Sequence, residues 1–318
     1  MAIATQEIDD FSRDISCPIA VVIPTYNRSE ILLLCLQCLE KQTWTDFQVI
    51  VVDDGSTDDT PQAVKQFQKS SALNIEYLRQ ENAGPARARN LAIASLRAPV
   101  CLMIGDDILA SPNLVFRHLE LHRRRPEMRI AGLGLTRWTE NGQTVTKFMR
   151  WLDESGLQFA YDELLRGTRP GWKHFYTSNI SLKTRLLQRN PFDVSFENAA
   201  VEDLELGYRL EQTHGLEVIF LPEAAAGHLH PTDFRRTCKR MVQVGTATRH
   251  FDKLWPAANN YSRGSGLREK LQDRLVKSRL LSWLTSATDL LSRIWCPNPL
   301  IGKTLLAHFL RGYLADQS

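Results

Sequence analysis

The 318-residue sequence lacks several features that would place it at once. No apolar run is long enough to cross a bilayer, and the first ten residues, MAIATQEIDD, carry acids where a secretory leader has a basic and then an apolar stretch. Together these set the expectation of a cytoplasmic protein. The six cysteines (17, 35, 38, 101, 238 and 296) show no framework spacing. The single C-x-x-C, Cys35 and Cys38, lies in an apolar helical stretch with no second pair, which argues against zinc and for two small core residues. There is no G-x-G-x-x-G after the first strand and no G-x-x-x-x-G-K-[ST], so neither a dinucleotide enzyme nor a P-loop NTPase fits. Repeats and low-complexity segments are missing too. The formal net charge is only +3, which gives no case for a nucleic-acid binder.

What the chain does have is a regular alternation. It is 43% hydrophobic and 24% charged, with material for one large or two ordinary domains. Short apolar runs at Ile19–Ile23, Val49–Val52, Ile75–Leu78 and 99–104 read as buried strands. Between them, helices are predicted from Ser29 (as N-cap) to about Gln42, from Thr57 or Asp58 through Phe67, and over Gly84–Ala94. Such alternation predicts right-handed crossovers and a mostly parallel sheet flanked by helices, an α/β fold. Open sheets of this kind bind ligands beyond the carboxyl ends of their strands. Pro24, Thr25, Tyr26, Asp53, Asp54, Asp106 and Asp107 all fall there. Adjacent carboxylates repel unless something positive lies between them. Asp106 and Asp107 are therefore either solvated loop acids, one capping a helix, or ligands for a hard cation such as Mg²⁺ or Mn²⁺ held jointly with phosphate oxygens.

Five blocks then carry a resemblance. IAVVIPTYNRSEILLLCLQCLEKQT, VIVVDDGSTDDT, ENAGPARARNLAI and CLMIGDDILASP follow one another over residues 18–112, and FYTSNISLKTRLLQRNPFDVSFENAAVEDLELGYRL covers 175–210. In this order they resemble the family 2 glycosyltransferases of GT-A fold. The resemblance implies a Rossmann-like sheet, a nucleotide-sugar donor (usually a UDP sugar), Mn²⁺ or Mg²⁺, and transfer with inversion to an acceptor hydroxyl. It implies that Pro24, Thr25, Tyr26 and Asp54 hold the base, with Asp54 accepting from the base imide and Tyr26 packing on the ring. Arg89 is similar to the family arginine near the nucleotide, although Arg87 could serve equally. Asp107 resembles the metal-binding last acid of the D-x-D motif and Asp106 its neighbour on ribose or metal. The sequence departs from that motif at Gly105, where the family has an acid.

Glu202-Asp203 resembles the family E-D pair, whose Asp is the general base, with Val201 in place of the usual aromatic. By analogy, a histidine from AAGHLHP joins the metal. One of His228 and His230 is expected to reach it, and His230 is the choice. Trp172, Asn179 and Glu202 are candidate sugar or acceptor contacts. His118 and His122, at i and i+4, are read as a partly exposed helix face.

The expected organisation is an N-terminal tail (1–17), a nucleotide-sugar-binding half (18–112), an acceptor-binding half (113–254), and a linker with an amphipathic helical extension (255–318). From Tyr261 onward nine basic residues face four acids, and Leu267, Leu271, Leu275, Leu280, Leu284, Leu291 and Ile294 recur at helical spacing. That stripe packs on the catalytic domain or a second copy, or lies on the inner face of an anionic membrane, convenient for a lipid-linked acceptor. Trp283, Trp295 and Phe309 favour a packed core. The expected partners are the nucleotide-sugar donor and a saccharide, lipid-linked or protein acceptor, with no nucleic acid. Two other readings stay open: a nucleotidyltransferase on a similar sheet, although PTYNRSE lacks the basic, glycine-rich loop it needs, and a non-catalytic GT-A-like module.

Overall fold

Four apolar, β-branched runs build the centre of the structure, in the order the sequence predicts. The computed structural model describes residues 17–196, 200–258, 279–294 and 298–315. They form two units, described here separately. The first comprises the chain up to Gly142, Phe159–Val194 and Asp203–His230. Within it, β1 (Ile19–Thr25), β2 (Gln48–Asp53), β3 (Asn74–Arg79) and β4 (Val100–Ile104) are parallel neighbours, joined through α1 (Ser29–Leu39), α2 (Thr60–Ser70) and α3 (Pro85–Ser95). Pro24 lies inside β1, opposite Val52, one residue beyond the expected strand end. Helix α1 ends at Leu39, short of Gln42, and its N-cap is Arg28 rather than Ser29.

Beyond β4 the sheet becomes mixed. β5 (Ile108–Ala110), β6 (Ile130–Trp138), β7 (Asn179–Lys183) and β8 (Glu217–His228) complete the order β3-β2-β1-β4-β7-β6-β8-β5. β7 runs antiparallel to both β4 and β6, β5 runs antiparallel to β8, and β6 and β8 are parallel. Helices α4 (Leu114–Arg124), α6 (Tyr161–Leu165), α7 (Thr184–Arg189) and α8 (Glu202–His214) flank it. Alternate residues of the central strands enter separate cores, as a period of two requires. Ala20, Val22, Ile50 and Val52 pack with α3, whereas Ile19, Val21, Val49 and Val51 pack with Leu32, Cys35 and Leu36 of α1 and Leu119 of α4. Cys35 is thus a core residue and Cys38 packs beside it.

The second unit, Gln143–Gln158, Ser195–Glu202 and the chain from Pro231, is helical: α5 (Lys147–Glu154), α9 (Phe234–Leu254), α10 (Arg279–Ile294) and α11 (Asn298–Tyr313). Phe148 and Leu152 of α5, Phe234 and Cys238 of α9, and Ile301 and Leu305 of α11 share one core. Leu281, Phe309 and Leu310 share another with Met241 and Val244. The α9 and α11 backbones touch: a Cβ on Gly245 would lie 2.0 Å from the Phe309 carbonyl oxygen, and one on Gly312 1.9 Å from that of Val242. Only glycine fits there. Phe309 is buried as expected, but Trp283 is 67% exposed and contributes no core bulk. No described helix is long and apolar enough to cross a membrane. The tail 1–16, most of the linker, Leu267, Leu271, Leu275 and Trp295 lie outside the described residues.

Candidate active site

Beyond β4 the chain turns sharply at Gly105 to reach β5, and this turn presents both acids. Asp106 and Asp107 are 5% and 8% exposed. The charge between them is Arg28, from the loop after β1. Its Nη1 donates to Asp106 Oδ1 at 2.7 Å and its Nη2 to Asp107 Oδ2 at 3.0 Å. The Thr25 hydroxyl donates to the other Asp106 oxygen at 2.8 Å. Burial first, then the charge of Asp107, pushes Asp106 above the usual carboxylate range. Burial also works against ionised Asp107, but His228, His230 and Arg28 outweigh it and hold this acid well below that range. The missing acid of the D-x-D motif has a steric counterpart: a Cβ on Gly105 would lie 2.7 Å from Asp107 Oδ1.

Both histidines reach Asp107, which corrects the expectation of one. His230 Nδ1 lies 3.1 Å and His228 Nε2 3.5 Å from Asp107 Oδ2. The two histidines are i and i+2 at the end of β8, positions that share a face in extended chain. Between them Leu229 N–H donates to the Asp107 carbonyl, and the two rings stack at 5.3 Å. His228 also stacks on Trp138 at 4.8 Å and meets Phe159, whose ring touches Tyr176 at 5.0 Å. The ligand atoms of Asp107, His228 and His230 all lie within 4.8 Å of one another. One carboxylate oxygen and two imidazole nitrogens suit a divalent first-row transition-metal ion, so the residues fit such a group.

The other expected residues divide. Tyr26 is 44% exposed beside buried Thr25, free to offer a ring face. Asp54 is buried and holds the loop before α3. Its Oδ1 accepts from Gln80 Nε2 (2.6 Å) and Ala83 N–H (2.9 Å), and its Oδ2 from Gly84 N–H (2.8 Å) and, more weakly, Asn82 Nδ2 (3.4 Å). Arg89 is buried on α3 with its guanidinium 5.4 Å from the Phe192 ring centre, whereas Arg87 is exposed.

Asp203 lies in the first turn of α8, with Oδ1 accepting from Leu204 N–H at 2.9 Å and Oδ2 facing Thr177 N–H at 3.5 Å. Gly207 permits this approach: a Cβ there would come within 2.6 Å of Phe175 Cβ. Glu202 is buried, and Val201 before it has φ +70°, a left-handed conformation unusual for a β-branched residue. Trp172 lies edge-on against Tyr208 at 5.2 Å, its backbone N–H donating to Glu211 Oε2.

Two expectations fail. Asn179 is wholly buried, with Oδ1 on His118 Nε2 (2.9 Å) and Nδ2 on the Ala224 carbonyl (2.9 Å), so it is closed to any substrate. His118 and His122 are not partly exposed but wholly buried, both on the Ser181 hydroxyl at 2.8 and 2.9 Å. Arg28 and the Trp138–Phe159 wall were not anticipated. The one signal for Arg28 was the need of two adjacent acids for a counter-charge.

Comparison with known proteins decides the family. The sequence profile described as Glycosyl transferase family 2 matches residues 20–191, just over half of the chain. The chain belongs to glycosyltransferase family 2. This family 2 chain is 32% identical over 233 residues to validoxylamine A glucosyltransferase of Streptomyces hygroscopicus subsp. jinggangensis, a match covering 62% of this chain and 52% of that one. It is 28% identical over 239 residues to chondroitin synthase of Escherichia coli, covering 64% and 34%. The match thus spans about half or less of these two relatives. Among solved structures it resembles the mannosyltransferase PcManGT from Pyrobaculum calidifontis in complex with GDP-Man and Mn²⁺, at a TM-score of 0.63 and 15% identity over 95% of this chain and 88% of that one. It also resembles residues 1–349 of TarS from S. aureus in complex with UDP, at a TM-score of 0.54 and 17% identity over 93% and 89%. These likenesses establish the GT-A fold.

Proposed function

We propose that the chain is an inverting, metal-dependent glycosyltransferase that moves a sugar from a nucleotide donor, a UDP sugar for preference, to an acceptor hydroxyl. The observation that carries this reading is the convergence of Asp107, His228 and His230 at the end of β4, in a chain of this family. Asp107 and His230, joined by His228, hold the metal. When bound, a divalent ion there neutralises the leaving diphosphate. Pro24, Thr25 and Tyr26 receive the base, with the exposed Tyr26 ring as its platform. Asp54 serves the same pocket by fixing the 80–84 loop, since its lone pairs are already engaged there. Asp106 faces the ribose and Arg89 braces α3 beneath the nucleotide.

Asp203 is the base. Its carboxylate takes the proton of the acceptor hydroxyl as that oxygen bonds to the anomeric carbon and the bond to the diphosphate breaks. One displacement inverts the centre. Glu202 and Trp172 border the acceptor side. The test is a donor screen: UDP, GDP and dTDP sugars are incubated with Mn²⁺ and saccharide acceptors, and released nucleoside diphosphate is measured, with product configuration read by NMR. Metal-dependent release and an inverted product are expected. Donor binding without turnover on any acceptor would point to the non-catalytic module, and a retained configuration would remove the single-displacement role of Asp203.

A further inference from the structure

Arg28 and the candidate metal ligands use the same atoms. Nη2 of Arg28 lies 3.0 Å from Asp107 Oδ2 and 3.4 Å from His230 Nδ1. That carboxylate oxygen also faces His230 Nδ1 at 3.1 Å and His228 Nε2 at 3.5 Å. A guanidinium carries only donors, so it consumes lone pairs that a cation would need. Like charges drawn to one buried oxygen also repel strongly where water is scarce. Arg28 and a divalent ion therefore compete for Asp107 Oδ2.

The position of Arg28 is built into the backbone. Asn27 before it has φ +52°, and its side-chain oxygen accepts from Thr57 N–H at 2.7 Å and Asp58 N–H at 3.2 Å, while its own N–H donates to Ser56 Oγ at 2.9 Å. Asparagine tolerates this left-handed turn, which directs residue 28 out of the β1 line and towards the acids. The Arg28 side chain stays 27% exposed, which leaves it a way out.

We infer that Arg28 is an exchangeable internal cation: it neutralises the Asp106–Asp107 pair when no metal is present and releases Asp107 when a divalent ion binds. The released fork suits a diphosphate, whose oxygens it can meet two at a time. Metal and nucleotide then strengthen each other's binding, because each stabilises the displaced arginine. This inference rests on the reading of Asp107 as a metal ligand.

The experiment is titration of the full chain with Mn²⁺, free ion followed by EPR, with and without UDP. Arg28→Gln should bind Mn²⁺ alone roughly 10-fold more tightly than the parent, the scale of one charged hydrogen bond. The gain in Mn²⁺ affinity produced by UDP should shrink in that variant. Arg28→Lys, which keeps the charge but not the fork, should fall between the two and carries the test if the Gln variant fails to fold. Asp107→Asn should abolish Mn²⁺ binding in every background. Mn²⁺ affinity unchanged or weakened in the Arg28 variants, with binding still lost in Asp107→Asn, would overturn the exchange and leave the metal site standing. No Mn²⁺ binding by the parent or either Arg28 variant, even with UDP, would overturn both.

Discussion

The sheet unit holds two pairs of histidines, and their surroundings are opposite. His228 and His230 face the Asp107 carboxylate, with Arg28 on the same oxygen, and the His230 side chain is 47% exposed. His118 and His122 are wholly buried against the Ser181 hydroxyl and the Asn179 amide. Burial pushes His118 down to about 4, and burial, with Lys183 and His118, pushes His122 well below the ordinary imidazole range. Lys183, donating to the His122 carbonyl, is itself lowered to about 7 by burial. The sealed pair has the i, i+4 helical spacing that suits a metal, and the open pair does not. Spacing is therefore the weaker guide. A charged partner and a path to solvent distinguish the proposed ion site from a pair that ties α4 to β7.

The contrast can be broken in four ways. The largest effect is expected from Asp107→Asn, which removes the charge that sets the open pair apart. Calorimetry with Mn²⁺ and UDP should find metal-dependent binding gone while thermal melting barely moves; parental affinity would erase the distinction. Next comes Asp203→Asn, which touches neither pair. Turnover should fall about 10²- to 10⁴-fold, the scale of a lost general base, with donor affinity unchanged. Donor binding that collapses while turnover per bound donor stays normal would make Asp203 a ligand instead.

The third test is acid. The unfolded His118 imidazole titrates near its ordinary value of 6.5, the folded one at about 4. Between these values the unfolded chain binds the extra proton, so stability falls as pH drops from about 6.5 to 4. This one group accounts for about 3 kcal/mol. Urea denaturation at a series of pH values should show that slope and show it flattened in His118→Gln; an unflattened slope would place the acid sensitivity elsewhere. The smallest effect on the open pair belongs to Asn179→Leu, which leaves His118 Nε2 and the Ala224 carbonyl without their present partner. A loss of about 1–3 kcal/mol per unsatisfied group is expected at neutral pH, with Mn²⁺ affinity intact. A change in Mn²⁺ affinity would join the two clusters.

The first half of the sheet was legible because its signals are local. Continuous apolar runs mark β1, β2 and β4, and the acids announce where those strands end. What was not legible depends on partners far away in sequence. The antiparallel β7 joins β4 from about 80 residues downstream, and no pattern in NISLK names its neighbour. His118 and His122 sit just before Arg123–Arg125, so their stretch reads as a solvated helix end; the Ser181 hydroxyl that buries them is 63 and 59 residues on. Asn179 looked like a polar contact because its residue type is polar, whereas its amide fills an internal gap. Arg28 was hidden for another reason. It owes its place to the left-handed residue Asn27, where strand periodicity no longer applies.

The core shared by α5 and α11 also bears on how the chain comes off the ribosome. Phe148 and Leu152 rest on Ile301 and Leu305, so α5 emerges about 150 residues before the helix that covers it, some 8–30 s at ordinary translation rates. During that interval only part of its apolar face can be covered, by Phe234 and Cys238 of α9. The sheet unit, by contrast, has its last strand, β8, as soon as His228 is made. The order of synthesis thus favours a strand framework that forms first and a helical unit that closes last.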